Sequence, residues 1–281
     1  MSELANHLQP LVSICVPTYN NEEHIADTLT SILQQTYRHL EIIISDDAST
    51  DRTLEIVSSL ADERVVVIRN HRNIGAPANW FGSLQHATGK YVKIVCADDL
   101  LDPQCVERQV EVLESLPEHE ACIIASRRRL IDGKGQSINA PNLQIAPGTY
   151  AGPKIIKRMV RSGTNIIGEP MAAMFRRHDV QAHVHGITDN VYMMDVQIYM
   201  DVLRKGSLVM LPSTDCSFRV HGGSLSSNLA WKQMHSFVSF VRAYRQGNAG
   251  ALSATDVFIG SIMCAGLTFG RWLVRTLHLS S

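Results

Sequence analysis

Clusters of polar residues directly follow three apolar runs of this sequence, and two of them contain paired carboxylates. Like charges repel at short range, so paired carboxylates are typical of sites that bind a cation or accept hydrogen bonds from hydroxyls and ring nitrogens. One acidic strand end could be a helix cap, but two such pairs together indicate a binding site. The clusters are Pro17-Thr18-Tyr19-Asn20, Asp46-Asp47-Ala48-Ser49 and Ala97-Asp98-Asp99.

The sequence lacks the glycine-rich loops that cradle phosphates. Neither GxGxxG after the first apolar run nor GxxxxGK[ST] is present, which argues against a nicotinamide or P-loop nucleotide site. Carboxylates without a glycine cradle suit a nucleoside diphosphate that is held through a divalent ion. Mg²⁺ and Mn²⁺ prefer oxygen ligands and can bridge carboxylate and phosphate.

Alternating strand and helix patterns must position these clusters. We predict strands at Leu11–Pro17, Leu40–Ser45, Val65–Arg69 and Tyr91–Ala97, with amphipathic helices between them. This alternation implies right-handed βαβ units and an α/β protein with an open, mostly parallel, Rossmann-like sheet. Ligands bind outside the carboxyl ends of such strands, which is where the polar clusters lie.

The pattern loosens after about residue 120. A C-terminal helical extension is expected to follow the sheet. The predicted elements are strands at Ala121–Ala125 and Met171–Phe175, an extended segment at Leu208–Val220, and helices at Pro153–Arg161, Met193–Arg204, Trp231–Arg245 and Thr255–Leu277.

Composition places the 281 residues among ordinary globular proteins, with 45% hydrophobic and 19% charged residues. The net charge of −1 gives no general attraction to nucleic acid, so we expect no nucleic-acid partner. Six widely spaced cysteines without CxxC or zinc spacing predict buried, reduced thiols and a cytoplasmic setting. No signal-peptide pattern is visible at the N-terminus.

An ordered set of motifs extends over roughly the first 225 residues: VSICVPTYNNEEHI, LEIIISDDASTD, NIGAPANW, ATGKYVKIVCADDLLDP, GEP and FRVHGGSLS. In residue type and spacing this set resembles glycosyltransferase family 2, whose enzymes have the GT-A nucleotide-sugar fold. The resemblance implies a GT-A domain over residues 1–225, with a nucleotide-binding half at 1–130 and an acceptor-binding half at 131–225. A helical extension would then occupy residues 226–281.

The resemblance implies a role for each residue of the first two clusters. Pro17, Thr18 and Tyr19 would line the base pocket, and Asp47 would accept a hydrogen bond from uracil or ribose. Asn73, in the NIG motif, would approach the nucleotide. Tyr19 could instead be a core aromatic residue, and Asn73 a plain turn residue.

Asp98 and Asp99 occupy the family's Asp-x-Asp element as an ADD variant. By resemblance, Asp98 touches the ribose or the sugar, and Asp99 binds a divalent metal ion, Mn²⁺ or Mg²⁺. The alternative is that this pair caps a helix before Leu100. Asp46 could similarly cap the loop that follows it.

Asp195 is the residue that the resemblance implies as catalytic base, because it opens a helix as the family's catalytic acidic residue does. The family commonly has an ED pair there, and Met194 replaces the first acid. Asp189 and Asp201 are alternatives. Asp201 falls about two turns further along the helix and would point away from the cleft, whereas Asp189 precedes the helix.

Arg219 and His221 could close over the diphosphate. Their spacing on an extended strand points both side chains to one face. A guanidinium pairs with phosphate oxygens, and a neutral imidazole can bind a metal ion. His221 could equally be structural, and Gly222 and Gly223 would allow the loop to move.

The predicted reaction moves a sugar from a nucleoside-diphosphate donor, a UDP- or dTDP-sugar, to an acceptor hydroxyl. The resemblance implies inversion by direct displacement, in cell-surface glycan or polysaccharide biosynthesis. A processive synthase is disfavoured because the Q-x-x-R-W signature is missing. The alternatives are a nucleotidyltransferase, whose early glycine-rich basic loop is also missing, and an inactive nucleotide-sugar-binding module.

The C-terminal helix allows two interpretations. The uncharged interval between Asp256 and Arg271 is too short for a membrane span, so the helix either docks on the domain or lies on a membrane surface. In the second case Trp272 would lie at the interface, with Arg271, Arg275 and His278 forming the cationic side. A glycan or lipid-linked acceptor would fit a cytoplasmic protein at the inner face of the membrane, and a homodimer is left open.

Overall fold

The computed structural model describes residues 9–120, 122–140, 142–181, 190–221, 230–248 and 250–278, without the side chains of residues 230 and 271–278. Ten strands and nine α-helices lie in this part of the chain. The strands are β1 (Val12–Thr18), β2 (Leu40–Asp46), β3 (Val65–Arg69), β4 (Tyr91–Ile94), β5 (Leu100–Leu101), β6 (Cys122–Asp132), β7 (Ser137–Ile138), β8 (Gly148–Ala151), β9 (Ala173–Arg176) and β10 (Ser207–Val220). The helices are α1 (Ile25–Leu33), α2 (Thr53–Ser59), α3 (Ala76–Gln85), α4 (Cys105–Ser115), α5 (Gly152–Ser162), α6 (Arg177–Gln181), α7 (Met194–Leu203), α8 (Ala230–Gly247) and α9 (Ala254–His278).

All ten described strands belong to one sheet, in the order β3-β2-β1-β4-β9-β6-β10-β5, with β7 added beside β6 and β8 beside β10. Strands β3, β2, β1 and β4 are mutually parallel, so the predicted α/β fold is confirmed, with a parallel sheet over the first part of the chain. Strand β9 is antiparallel to both β4 and β6, whereas β6 and β10 are parallel to each other. The second half of the sheet is therefore mixed.

Both faces of β1, β2 and β4 are covered, which explains their continuous apolar sequences. All seven residues of β1 are buried. Alternate side chains of β1 enter different cores, because successive residues of a strand point to opposite faces. Cys15 packs with α3 on one face, and Ile14 and Val16 pack with α1 and α4 on the other.

Helices α5, α8 and α9 cover the second half of the chain. Glycines allow α5 and α9 to approach closely, since a Cβ at Gly260 would collide with the backbone oxygen of Val160. Gly163 ends α5 in the left-handed region, at φ +68°. Among the described helices, none combines the length and the hydropathy that a membrane span requires. All six cysteines are free, and Cys96 is the one that is not fully buried.

Candidate functional site

A cleft of about 480 Å³ opens at the carboxyl ends of β1, β2 and β4. It contains most of the residues that the sequence singled out, although they come from six separate parts of the chain. The residues predicted from sequence that line it are Pro17, Thr18, Tyr19, Asp47, Asn73, Asp98, Asp195 and His221. Other lining residues include Asn79, Trp80, Cys96, Glu169, Pro170, Tyr192, Met194 and Gln233.

The loops after β1 and β2 share a strained backbone geometry beside the cleft. Asn20 and Ala48 both have positive φ, 50° and 61°, which side chains rarely adopt. Asn20 stabilises the pair of loops, because its backbone N–H donates to Ser49 Oγ at 2.9 Å and its Oδ1 accepts from Thr50 N at 2.9 Å. Asp46 accepts a hydrogen bond from Ser49 N at 3.1 Å, so it does cap the loop that follows β2.

Asp47 organises the loop that contains the NIG motif. Its Oδ1 accepts from Asn70 Nδ2 and Ile74 N, both at 2.9 Å, and its Oδ2 accepts from Gly75 N at 2.9 Å. Asn73 lines the cleft, and its Oδ1 accepts from Gly75 N at 3.1 Å, which is the hydrogen bond of a turn residue. A carboxylate has about four acceptor positions, so these three hydrogen bonds use most of the capacity of Asp47.

Tyr19 is 46% exposed and lines the cleft, so the interpretation as a core aromatic is wrong. Thr18 is buried, and its backbone oxygen accepts from Asp47 N at 2.9 Å. The ends of β1 and β2 are thereby held together. Tyr19 projects where an aromatic ring could cover a base, which is compatible with its predicted position.

Asp98 points into the cleft and contacts His221. The distance from His221 Nε2 to Asp98 Oδ2 is 2.9 Å, and the ring of His24 packs edge-on against the His221 ring with 4.7 Å between centroids. Burial, followed by the charge of Arg219, lowers the pKa of His24. Helix α4 begins only at Cys105, so Asp98 does not cap a helix.

Asp99 is fully buried. Its Oδ1 accepts from Arg219 N at 3.0 Å, and its Oδ2 has no hydrogen-bond partner among the residues that the structure describes. Burial, followed by the charge of Asp98, raises the pKa of Asp99 well above its usual range. A buried carboxylate oxygen without a donor costs free energy unless a cation or a ligand satisfies it.

These residues fit a divalent metal ion. The ligand atoms of Cys96, Asp98 and Asp99 all lie within 4.8 Å of one another. Mg²⁺ and Mn²⁺ favour the two carboxylates over the soft thiolate. His221 does not belong to this group, although its Nε2 lies 2.9 Å from Asp98 Oδ2, at hydrogen-bond distance.

Arg219 does not have the predicted position over a diphosphate. It is 1% exposed, and its guanidinium donates to Asp98 O at 2.9 Å, to Gly133 O at 3.1 Å and to Asp27 Oδ2 at 3.2 Å. With its N–H on Asp99, Arg219 instead holds the backbone and one carboxylate of the acidic pair in place. The glycines after His221 lie outside the described residues.

Asp195 lies in the first turn of α7 and lines the same cleft as Asp98. Its Oδ1 accepts from Val196 N at 2.8 Å, and its Oδ2 accepts from Asn165 Nδ2 at 2.7 Å. Burial raises the pKa of Asp195 to about 6, against the lowering effect of these hydrogen bonds and with a further raising effect from the charge of Glu169. This is a suitable range for a general base at neutral pH.

Of the two alternatives to Asp195 as the base, Asp201 lies in the described part of the chain and Asp189 does not. Asp201 does not line the cleft and lies on α7, nearly two turns beyond Asp195. Asp189 lies outside the described residues, as do the side chains of Arg271, Trp272, Arg275 and His278.

Asn165 and Glu169 were not among the predicted site residues, although both bear on the site. Asn165 lies in the turn after α5, and no sequence pattern pairs it with Asp195. Glu169 belongs to the GEP motif, which did point to it, and it forms a two-point ion pair with the Arg128 guanidinium. Its carboxylate adds negative charge to the cleft wall beside Asp195.

Comparison with known proteins gives a consistent result. The profile of Glycosyl transferase family 2 matches residues 13–183, which is more than half of the chain. An uncharacterized glycosyltransferase of Haemophilus influenzae is 27% identical over 226 residues, which cover 78% of this chain and 68% of the relative.

A second relative has a named reaction. The Escherichia coli UDP-Glc:alpha-D-GlcNAc-diphosphoundecaprenol beta-1,3-glucosyltransferase WfaP is 36% identical over 105 residues. That alignment covers 37% of this chain and 42% of WfaP, so the chain matches less than half of that protein.

Two solved structures share the fold. TarS of S. aureus in complex with UDP-GlcNAc superposes with a TM-score of 0.69 at 18% identity, over 90% of this chain and 71% of that one. The mannosyltransferase PcManGT of Pyrobaculum calidifontis, in complex with GDP-Man and Mn²⁺, gives 0.63 at 18% identity, over 96% and 76%.

Proposed function

Because this chain belongs to glycosyltransferase family 2, we propose that it transfers a sugar from a nucleoside-diphosphate donor to an acceptor hydroxyl, with inversion at the anomeric carbon. One observation carries the proposal. A single cleft contains a strand-end acidic residue from the first half of the chain, Asp98, and a base of suitable pKa from the second half, Asp195. Donor and acceptor would meet between them.

Asp195 acts as the general base in this proposal. Its carboxylate takes the proton of the acceptor hydroxyl, so that the oxygen attacks the anomeric carbon from the face opposite the leaving group. With a pKa of about 6, it is mostly ionised at neutral pH and still basic enough to share a proton in the transition state. Asn165 keeps this carboxylate in one orientation.

On the donor side, Asp99 and Asp98 would hold Mn²⁺ or Mg²⁺, with His221 as a further ligand. When bound, the ion supplies positive charge that stabilises the diphosphate as it leaves. Arg219 holds this pair by donating to Asp99 Oδ1 and Asp98 O. The orphaned Oδ2 of the buried Asp99 supports an ion at this position.

The base of the donor would lie between Tyr19 and the Asn73–Gly75 loop, with Pro17, Thr18 and Asp47 forming the floor. UDP-GlcNAc and GDP-Man are bound by structural neighbours, and WfaP uses UDP-Glc, which supports a nucleotide sugar as donor. We favour a UDP- or dTDP-sugar. The diphosphoundecaprenol acceptor of WfaP supports a lipid-linked acceptor in cell-surface glycan synthesis.

The assignment also rests on the division of the chain proposed from sequence. Residues 1–130 would bind the nucleotide, residues 131–225 the acceptor, and residues 226–281 would extend the domain. Asp195 and Glu169 belong to the second part, and both line the cleft. Gln233 of α8 also lines it, so in this proposal the extension would contribute to the acceptor side.

Incubation with a panel of UDP-, dTDP- and GDP-sugars, Mn²⁺ and GlcNAc-diphosphate lipids tests the proposal. We expect release of free nucleoside diphosphate without pyrophosphate, dependent on the acceptor, and a much slower release by Asp195→Asn. Pyrophosphate as product would indicate a nucleotidyltransferase instead. Binding of nucleotide sugars without turnover by any acceptor would indicate an inactive binding module.

A further inference from the structure

Helices α5, α8 and α9 differ in charge from the rest of the chain. Together they contain nine Lys and Arg residues and a single acidic residue, Asp256, whereas the whole chain has a net charge of −1. Asp256 is buried, and its Oδ1 is 3.6 Å from Lys157 Nζ and 3.9 Å from Arg161 Nε. The negative charge of Asp256 is therefore paired with cations of α5. The remaining Lys and Arg residues leave these helices with a strong excess of positive charge.

The three helices pack into one layer, which we call the basic helical face. Close packing of α5 on α9 depends on Gly163 and Gly260, where a Cβ would overlap the backbone of the facing helix. Helices α8 and α9 enclose a groove lined by Arg242 and Arg245 on one side and by Phe258 on the other. Cations and apolar side chains therefore share one surface.

An apolar stripe runs along the outer side of α9. Phe258, Ile262 and Phe269 are 66%, 55% and 53% exposed, and their spacing of four and seven residues aligns them on one helical face. Exposed aromatic and aliphatic side chains in such a row are unusual on a soluble surface and indicate an interaction site.

We propose that the basic helical face binds the surface of a bilayer that contains anionic lipids. Phe258 and Ile262 would enter the boundary between headgroups and acyl chains, and Arg242 and Arg245 would contact lipid phosphates. Helix α9 lies on the bilayer in this arrangement and does not cross it, in agreement with its hydropathy. A second copy of the chain is a poorer occupant, because two such faces would bring like charges together.

The proposal gives the bilayer a fixed place relative to the cleft. Gln233 of α8 lines the cleft, and Arg245 of the same helix lines the groove. Twelve residues of helix span about 18 Å, so α8 links the two sites rigidly. A cleft held at this distance suits an acceptor anchored in lipid; this last step alone rests on the proposed function.

Vesicle sedimentation with the full chain, in the absence of any sugar substrate, tests the proposal independently of the reaction. We expect binding to vesicles of phosphatidylglycerol and phosphatidylcholine, and at least tenfold weaker binding to phosphatidylcholine alone or in 1 M salt. The double variant Phe258→Gln/Ile262→Gln should bind about tenfold more weakly or worse, because two apolar side chains no longer enter the lipid. Arg242→Gln/Arg245→Gln should lose a similar factor.

Val66→Gln/Val67→Gln is the matched control, since both valines are about half exposed on β3, away from the basic helical face. It should bind vesicles like the unchanged chain, and circular dichroism should show that all variants are folded. Equal binding by the α9 variant and the β3 control, or no binding of the folded chain to phosphatidylglycerol, would overturn the proposal. So would a dimer in light scattering that dissociates in Phe258→Gln/Ile262→Gln, since the stripe would then be a contact between copies.

Discussion

Asn165 fixes the orientation of the Asp195 carboxylate through a hydrogen bond of 2.7 Å from Nδ2 to Oδ2. The same amide cannot rotate away. Its Nδ2 also donates to Gly168 O at 2.8 Å, and its Oδ1 accepts from Ile167 N at 2.9 Å and Gly168 N at 3.1 Å. Tyr199 OH donates to Gly168 O at 3.0 Å and braces the turn. A loop outside α7 therefore determines how its first-turn carboxylate faces the cleft.

The first prediction concerns the pH dependence of the reaction. Burial raises the pKa of Asp195 to about 6, and a general base works only when ionised, so kcat/KM should fall as the pH drops below about 6 and stay level above it. Asp195→Asn should lose this acid limb and lower kcat by a factor of about 10² or more, with donor binding intact. Asp201→Asn, on the same helix, is the control and should keep both the acid limb of the pH profile and the kcat of the unchanged chain. If Asp201→Asn lost the acid limb and Asp195→Asn kept it, Asp201 would be the base.

Asn165→Ala removes one hydrogen bond that stabilises the ionised Asp195. The pKa of Asp195 should rise further, by roughly one unit, and the acid limb should shift to higher pH. Turnover lost at pH 7 should then return at pH 8.5. Asn248→Ala, whose Nδ2 donates to Tyr244 O in α8, is the matched control and should leave the profile unchanged. A uniform loss of rate at every pH would show that Asn165 is merely structural.

Asp99→Asn tests the metal assignment. The variant keeps an oxygen that can accept from Arg219 N but loses the charge, so the fold should survive. Calorimetry of nucleoside diphosphate binding with and without Mn²⁺ should show that the gain in affinity from the ion falls by an order of magnitude or more. Asp102→Asn is the control, because Asp102 pairs with Arg129. An undiminished effect of Mn²⁺ in the folded Asp99 variant would contradict the assignment.

Gly75→Ala tests whether the Asn73–Gly75 loop holds the nucleoside. Gly75 has φ +88°, and its N–H donates to both Asp47 and Asn73. A Cβ would meet no clash there, so the cost is one of backbone conformation. With φ +88° and ψ 155°, Gly75 lies in a region that essentially only glycine adopts, and a side chain there costs about 1–3 kcal/mol. We expect weaker binding of UDP by roughly tenfold, measured without metal. Gly82→Ala, inside α3 where a Cβ also meets nothing, should leave binding unchanged and raise the melting temperature slightly. Unchanged affinity in Gly75→Ala would separate this loop from the nucleoside site.

Much of the fold follows from local patterns. The continuous apolar runs predicted β1 and β2 to within one residue, because buried parallel strands need apolar side chains on both faces. The run of β-branched residues predicted β3 without error, although β3 is partly exposed. The end of β4 differs, since the strand stops at Ile94 and not at Ala97. Helices α5, α7, α8 and α9 also lie where apolar periodicity and turn residues predicted them.

The rule that ligands bind beyond strand ends is enough to place Asp47 and Asp98 at one edge of the sheet from the sequence alone. It requires only strand order and direction, which the alternation of elements determines. The sequence also places Asp195 at the start of a helix. Residue spacing says nothing, however, about the groups that each carboxylate contacts.

Tertiary structure alone decided those contacts. The sequence predicts that Arg219 faces a diphosphate, yet its guanidinium turns inward and donates to the backbone oxygen of Asp98, which is 121 residues away in the chain. Asn165 meets Asp195 across 30 residues, and β9 enters the sheet antiparallel between two strands from other parts of the chain. Such pairings depend on burial: a polar group removed from water must find a partner, and packing of distant segments determines which one lies within reach. Local sequence determines the elements and their faces, whereas the hydrogen-bond partners of the site arise only when those elements come together.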